Sequence, residues 1–434
     1  MKTGLRVKFK LLALFISVFY ASTLLAQDDT IRVMQYNVLR YGESNQSPSV
    51  KNPLLTTIVN HVQPDIIGVN EISGQSDYAQ NILNGALNVN GENKWRRATL
   101  SNAGADKSLT NTVFYDINKF KLLNQEVVST VQREISAFNF MYNDSNITKT
   151  QDTVFFTVIV LHFKAGNTSG DANTRANEAT QIVNWINKFS AAKNIMVMGD
   201  YNVYTNTEGG FANLVNNTSA TNKLMDPINR VGTWNNNAAF ADVHTQSTHT
   251  SQTGGFSSGG MDDRFDIMLC TKSLLTDSMK MRYLPGTYKA IGNDGQRFNK
   301  ALTDAPTNTS VPSNVLGALY NMSDHLPISA DFVIVPKKPL PQGLEGIKKK
   351  RANEIQLVNP AKDKLDIHVS AFYLNQNLKF ELYNLNGQLM ERFQLNFNDN
   401  DKQYMFSKSH TAGMYILNII DEQGFHVQKK IIIN

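Results

Sequence analysis

The sequence predicts an α+β body of packed layers, sheet on sheet with helices outside, followed by a small all-β domain. Three observations predict it. From residue 31 to about 335, short apolar runs of strand length alternate with polar loops. Amphipathic helical stretches fall between those runs. Beyond about residue 355 only short strands and turns remain. Residues 31–38 read as the first strand. Leu54, Leu55, Ile58, Val59 and Val62 then fall on one helical face, and Pro64-Asp65 ends that helix. Residues 66–69 read as a buried strand, and 113–115, 154–161, 195–198 and 265–269 as further strands. Between two of these, Ala176, Ala179, Ile182, Val183 and Ile186 mark a second amphipathic helix. Residues 235–237 and 254–260 are Asn- and Gly-rich loops of the kind that carry binding residues.

The chain has 434 residues, 41% hydrophobic and 18% charged, a globular composition with enough apolar surface for a sizeable core. Its formal charge of +5 is unevenly placed. Residues 1–26 carry Lys2, Arg6, Lys8 and Lys10 and no acid, residues 337–351 are a local +5, and residues 27–336 are net −3. A uniformly basic nucleic-acid coat is excluded. Cys270 is the only cysteine, so no intrachain disulfide and no cysteine-based zinc site is possible.

The basic start, the apolar run 11–25, the small Ala26 and the polar residues after it predict a signal peptide over 1–26. No later run is long enough to cross a bilayer. The body is expected over 27–336. A basic Pro/Gly linker follows over 337–354. The last stretch, 355–434, reads as a small all-β domain with a hairpin turn at Asn386-Gly387.

Polar side chains stand at the ends of the apolar strands: Asn37, Glu71, His162, Asp200 with Asn202, Asp266, and Asp324-His325. Each alone has a plain structural reading, as a surface acid, an edge histidine or a turn residue. Six strand-associated sites together predict one convergent cleft. Their chemistry suits metal-assisted hydrolysis of a phosphate ester. Carboxylates hold a hard divalent cation such as Mg2+, with Mn2+ or Ca2+ as alternatives, the cation neutralises phosphate charge, and an acid or histidine activates water. A pair such as His325 with Asp266 would orient the ring. Arg133 and Arg264 are candidates for clamping phosphate, although arginines more often lie on solvated faces.

In order and spacing these pieces resemble the endonuclease/exonuclease/phosphatase superfamily, the deoxyribonuclease-I-like fold. The matching stretches are MQYNV around Asn37, PDIIGVNEI around Glu71, VIVLHFKAG around His162, MVMGDYN around Asp200 and Asn202, RFDIML around Asp266, and SDHLPI around Asp324 and His325. The resemblance implies a four-layer α/β sandwich with the site at one end. It implies Glu71 as metal ligand, assisted by Asn37 and Asp324. It implies Asp200 orienting or deprotonating water, Asn202 and His162 holding phosphate oxygens, and His325, backed by Asp266, stabilising the phosphorane or moving a proton. Two departures stand out. Asn70 replaces the family's usual Gln before the metal-binding Glu, and the stretch 109–112 lacks the acid that deoxyribonucleases often carry there. VHTQSTHT, 243–250, is similar to the polar loop that many secreted bacterial members carry before the final Asp strand.

The tail resembles the C-terminal sorting domain of type IX secretion substrates, through VNPAKDKLDI, FELYNLNGQLM, AGMYILNI and KKIII. The expectation is therefore a secreted or surface-located, monomeric, metal-dependent hydrolase. Its expected partners are a phosphate-ester substrate, nucleic acid first, and the type IX secretion machinery. A phosphomonoesterase or sphingomyelinase-like enzyme is the alternative, with residues 283–298 the one insertion nominated for an aromatic hairpin. A catalytically silent surface adhesin is the alternative from another class.

Overall fold

The computed structural model describes residues 28–335 and 351–434, apart from 146, 148–151, 277 and 423. The expected signal peptide, and residues 337–350 of the expected linker, lie outside the described residues. The chain divides into two compact units, split between Lys338 and Pro339.

In the first unit the main elements are β1 (Asp29–Tyr41), α1 (Pro48–Val62), β2 (Ile66–Ser73), β3 (Trp95–Arg97), β4 (Leu109–Asp116), β5 (Phe120–Ser129), β6 (Ile135–Tyr142) and β7 (Phe155–His162). They continue with α2 (Ser169–Ile186), β8 (Ile195–Asp200), β9 (Leu224–Met225), β10 (Asp266–Thr271), β11 (Met281–Tyr283), β12 (Lys289–Ala290), α3 (Ser313–Met322) and β13 (Ile328–Ile334). One sheet has the order β11-β13-β1-β2-β4-β3, with β12 beside β13. The other has the order β5-β6-β7-β8-β10-β9. Strands β1 and β2, and strands β7 and β8, pair in parallel.

Side-chain alternation along these strands builds four layers. On β1, Met34, Tyr36 and Val38 face helices α1 and α3, where Leu55, Ile58, Val59, Leu316 and Leu319 complete the outer core. Ile31 and Val33 point the other way and pack between the sheets against Phe138, Val158, Val160, Met196, Met198 and Met268. The second sheet's outer face, with Ile159, Leu161, Val197 and Ile267, is covered by Ala179, Ile182, Trp185 and Ile186 of α2. Thr168 and Asp171 cap that helix reciprocally. At Gly68 the sheets come so close that a Cβ would lie 2.5 Å from the Met198 methyl.

Strands β5 and β6 are absent from the sequence reading. On β5 exposed residues dominate, Leu123 and Val127 among them. The apolar rhythm is therefore too weak there to announce a strand. Strand β10 begins at Asp266 and runs to Thr271, two residues past the expected end.

The second unit is all-β. Strands β14 (Ile355–Leu357), β15 (Lys364–Val369), β16 (Asn377–Asn384), β17 (Leu389–Asn396), β18 (Asp401–Met405), β19 (Gly413–Ile420) and β20 (His426–Ile433) form two antiparallel sheets, β14-β15-β18 and β17-β16-β19-β20. Gly387, at φ 79°, makes the turn between β16 and β17. The ring of Phe393 stacks on Phe380 and on Tyr404 inside a core of its own. Among the described residues of the chain, no helix is long and apolar enough to cross a membrane.

Glu391 ties this second core together. Its Oε1 accepts hydrogen bonds from Tyr404 Oη and Ser407 N, both at 2.7 Å, and its Oε2 lies 2.7 Å from His410 Nε2. Burial works against its charge, but the bonds from Ser407, Tyr404 and His410 outweigh burial and hold the carboxyl down at about 2. A carboxyl depressed on folding stabilises the fold above its unfolded pKa, near 4.5, and loses that contribution as pH falls towards 2. Hydrogen exchange in peptides spanning β17 and β18 is expected to quicken between those pH values. Glu391→Gln should flatten the dependence.

Candidate active site

The inter-sheet face of each central strand is apolar along its length and polar at one end. On β1 the face reads Ile31, Val33, Gln35, Asn37. On β7 it reads Val158, Val160, His162. On β8 it reads Met196, Met198, Asp200, and on β10 Cys270, Met268, Asp266. Register sets these polar ends side by side, with Asn37 opposite Asn70, His162 opposite Asp200, and Asp266 opposite Asp200. Period-two alternation in the sequence thus becomes one polar rung across the end of the sandwich.

Glu71 joins this rung by breaking the alternation. It has φ 62°, and the β2–β4 register shifts between Val69 and Ile72. A left-handed non-glycine residue is strained, and its position here, in a cluster of ionisable groups, marks the site. The backbone N–H of Arg40 donates to Glu71 Oε2 at 3.1 Å and holds the turned side chain. Gly199, next to Asp200, is the other enforced position. A Cβ there would lie 1.8 Å from the Leu161 carbonyl oxygen.

The two sheets are joined through amides. Asn37 Nδ2 donates to Glu71 Oε1 at 2.9 Å and to Asp200 Oδ2 at 3.1 Å. Asn70 Nδ2 donates to the Leu161 carbonyl at 2.7 Å, and Gln35 Nε2 donates to Asn70 Oδ1 at 2.5 Å. Asn70, the departure from the family's Gln, is therefore a buried tie between the sheets. Asp200 Oδ2 also lies 3.5 Å from His162 Nε2 and 3.8 Å from His325 Nε2, and Asp200 Oδ1 accepts from Asn202 N at 3.0 Å. His325 Nδ1 meets Asp266 Oδ2 at 2.7 Å.

Electrostatics separates the two histidines. Burial, with Arg133 and His325 nearby, drives the pKa of His162 well below the usual value, so its ring is neutral. Burial also disfavours charge on His325, but Asp266 and Asp200 outweigh it and raise its pKa well above the usual value. Burial pushes Asp200 up to about 7; His325 opposes that rise, and Asp266 and Glu71 add to it.

Ligand atoms of Glu71, His162 and Asp200 all lie within 4.8 Å of one another. Two carboxylates and a neutral imidazole suit a divalent cation. Their separations of 3.7 Å and 3.5 Å from His162 Nε2 exceed hydrogen-bond length. The donor set therefore fits a cation held between these groups.

Asp324 lies outside the three clustered groups. Its Oδ2 accepts from Ser257 N at 3.0 Å and from Gln246 Nε2 at 3.3 Å, and its buried Oδ1 has no hydrogen-bond partner among the described residues. Asn37 turns its NH2 towards the carboxylates, and its Oδ1 accepts from Leu39 N. Arg264 is fully buried and bonds Asp226 with both terminal nitrogens, at 2.8 and 3.1 Å, which commits it to structure. Arg133 stays by the site. Its Nη1 and Asn202 Nδ2 both donate to the Phe163 carbonyl, just after His162. Among 283–298, Tyr283 is buried and Tyr288 and Phe298 are half-buried, so the stretch presents no exposed aromatic hairpin. The sequence reading missed Gln246, which contacts both Asp324 and His325. It also missed Lys51, whose buried ammonium donates to the Met322 carbonyl just ahead of Ser323-Asp324-His325.

Residues 359–434 match the family model described as the secretion system C-terminal sorting domain. The tail is a sorting domain. It marks the chain for export to the cell surface or beyond. No curated protein matches the chain. Among solved structures, the chain is similar to the human Nocturnin catalytic domain with bound sulfate, at 16% identity, covering 71% of this chain and 98% of that one, TM-score 0.42. It is similar to an endonuclease/exonuclease/phosphatase from Bacteroides vulgatus, at 14% identity, 70% and 99% coverage, TM-score 0.44. It is also similar to D. rerio TDP2 complexed with a single-strand DNA product, at 12% identity, 70% and 99% coverage, TM-score 0.44. The four-layer fold is established by the chain's own two sheets and three cores.

Removing Arg264 strands the buried Asp226 carboxylate. Arg264→Met is expected to cost about 3–5 kcal/mol in denaturant unfolding. Turnover per folded molecule should be little changed, because neither group reaches the clustered ligands.

Proposed function

We propose that the chain is an exported, metal-dependent phosphoester hydrolase of the phosphodiesterase or nuclease type. One observation carries the reading. Asp200 Oδ2 has Asn37, His162 and His325 within 3.8 Å, and His325 is backed at its other nitrogen by Asp266. A buried carboxyl beside an oriented imidazole is the equipment for activating water.

In this reading Glu71, His162 and Asp200 would hold a divalent cation, which when bound neutralises phosphate charge as a Lewis acid. Asp200 orients the attacking water and takes its proton. His325, its ring fixed by Asp266, stabilises charge growing on the phosphoryl oxygens or moves a proton. Asn202 and Arg133, which share the Phe163 carbonyl, line the phosphate's approach. The net −3 of residues 27–336 favours a monoanionic diester over a dianionic monoester and gives weak binding without turnover. The basic trio Lys94, Arg96 and Arg97 does little to change this. Lys94 pairs with Glu92 and Asp116 and Arg97 with Asp77, on the edge strand β3. Type IX machinery is the proposed carrier for the tail, and a leader at 1–26 the proposed route to it.

Specificity constants for DNA, RNA, bis-p-nitrophenyl phosphate, p-nitrophenyl phosphate and sphingomyelin should favour diesters. Glu71→Gln and Asp200→Asn should each cost at least ~100-fold in turnover. Full turnover in excess chelator would contradict metal dependence. Preference for a monoester or for sphingomyelin would overturn the diester assignment. Deleting residues 352–434 should leave hydrolysis intact while the enzyme stays in the periplasm of its native host. Normal export of the truncated chain would rule out the sorting role.

A further inference from the structure

One residue beside the clustered acids has no place in the reading above. Gln246 lies in the loop before β10, and its surroundings stitch that loop to two parts of the site. Gln246 N donates to the Asp263 carbonyl at 3.2 Å, and Asp263 N returns a bond to the Gln246 carbonyl at 3.0 Å. Its neighbour Thr245 accepts from Leu326 N at 2.8 Å through its carbonyl and from Asp266 N at 3.1 Å through its hydroxyl. The Gln246 side chain then reaches forward. Its terminal amide lies 2.7 Å from His325 Nε2 and 3.3 Å from Asp324 Oδ2.

We infer that Gln246 is a positioning residue that fixes the His325 ring by holding Nε2 while Asp266 holds Nδ1. The inference rests on the hydrolase reading of the site. An imidazole bonded at one nitrogen can pivot about that bond. A second contact at the opposite nitrogen removes the pivot and keeps Nε2 at 3.8 Å from Asp200 Oδ2. One nitrogen makes both contacts: Gln246 Nε2 lies between His325 Nε2 and Asp324 Oδ2. Asp324 thus anchors the amide and is itself fixed by Ser257 N at 3.0 Å. Gln246 is half-exposed, so its replacement opens no core cavity.

The test is a double-mutant cycle on the full chain with bis-p-nitrophenyl phosphate. Gln246→Met keeps length and removes the hydrogen bonds. It is expected to lower kcat about 10-fold, the scale of one directed hydrogen bond, with KM within about 3-fold. In a His325→Ala background the same change should cost less than about 2-fold, because a residue acting through His325 falls silent when His325 is gone. Gln246→Leu, which also lacks hydrogen-bonding atoms, carries the cycle if Gln246→Met does not fold. Equal losses in both backgrounds, a change confined to KM, or wild-type turnover of Gln246→Met would each overturn the inference. Glu71→Gln is run in parallel. Wild-type turnover in that variant would count against the hydrolase reading and not against the placement of Gln246.

Discussion

The side-chain amide of Asn37 spans the seam between two sheets, donating at once to Glu71 on one and Asp200 on the other. Two carboxylates brought this near would repel, and buried carboxylates are costly. The donor pair reduces that cost and fixes the spacing. The rest of the site is measured from it. His162 faces both carboxylates, His325 faces Asp200, and Asp266 stands behind His325. Without the close sheet packing at Gly68, the amide could not reach across.

The same seam explains how a hydrophobic core and a charged site share one scaffold. Successive inter-sheet rungs are apolar up to the polar end of each central strand, which on β1 begins with Gln35. The apolar rungs stabilise the sandwich, and the last rung inherits its rigidity. Beneath the site Gln35 donates to Asn70 and Asn70 to the Leu161 carbonyl, so part of the polarity there is structural. The strained Glu71 and the raised carboxyl of Asp200 are where the fold gives up stability for chemistry.

Much of this was legible in the sequence because strand period and motif order survive folding. Asn37, Glu71, His162, Asp200 and Asp266 stand at the ends of apolar runs or within them, and that placement marks them as one cleft in the sequence. Arg264 shows the limit. Its partner Asp226 lies 38 residues away in a loop, and no local pattern announces that pairing. Asp324 is similar, since the Ser257 amide that engages it comes from a glycine- and serine-rich stretch 67 residues upstream. Strand β5 escaped notice because an edge of a sheet needs little apolar rhythm; β6 lies inside the sheet, between β5 and β7. Gln246 sat within a loop recognised only as polar, and its contacts with His325 and Asp324 are made across 79 and 78 residues.

The central claim is that the polar rung is a divalent-cation centre built by Glu71, His162 and Asp200. The most direct measurement is anomalous diffraction from crystals of the exported chain grown with Mn2+. The account predicts one strong peak bounded by those three side chains, absent in Glu71→Gln crystals. A peak at Asp324 in its place, or none at all in the wild-type protein, would contradict it.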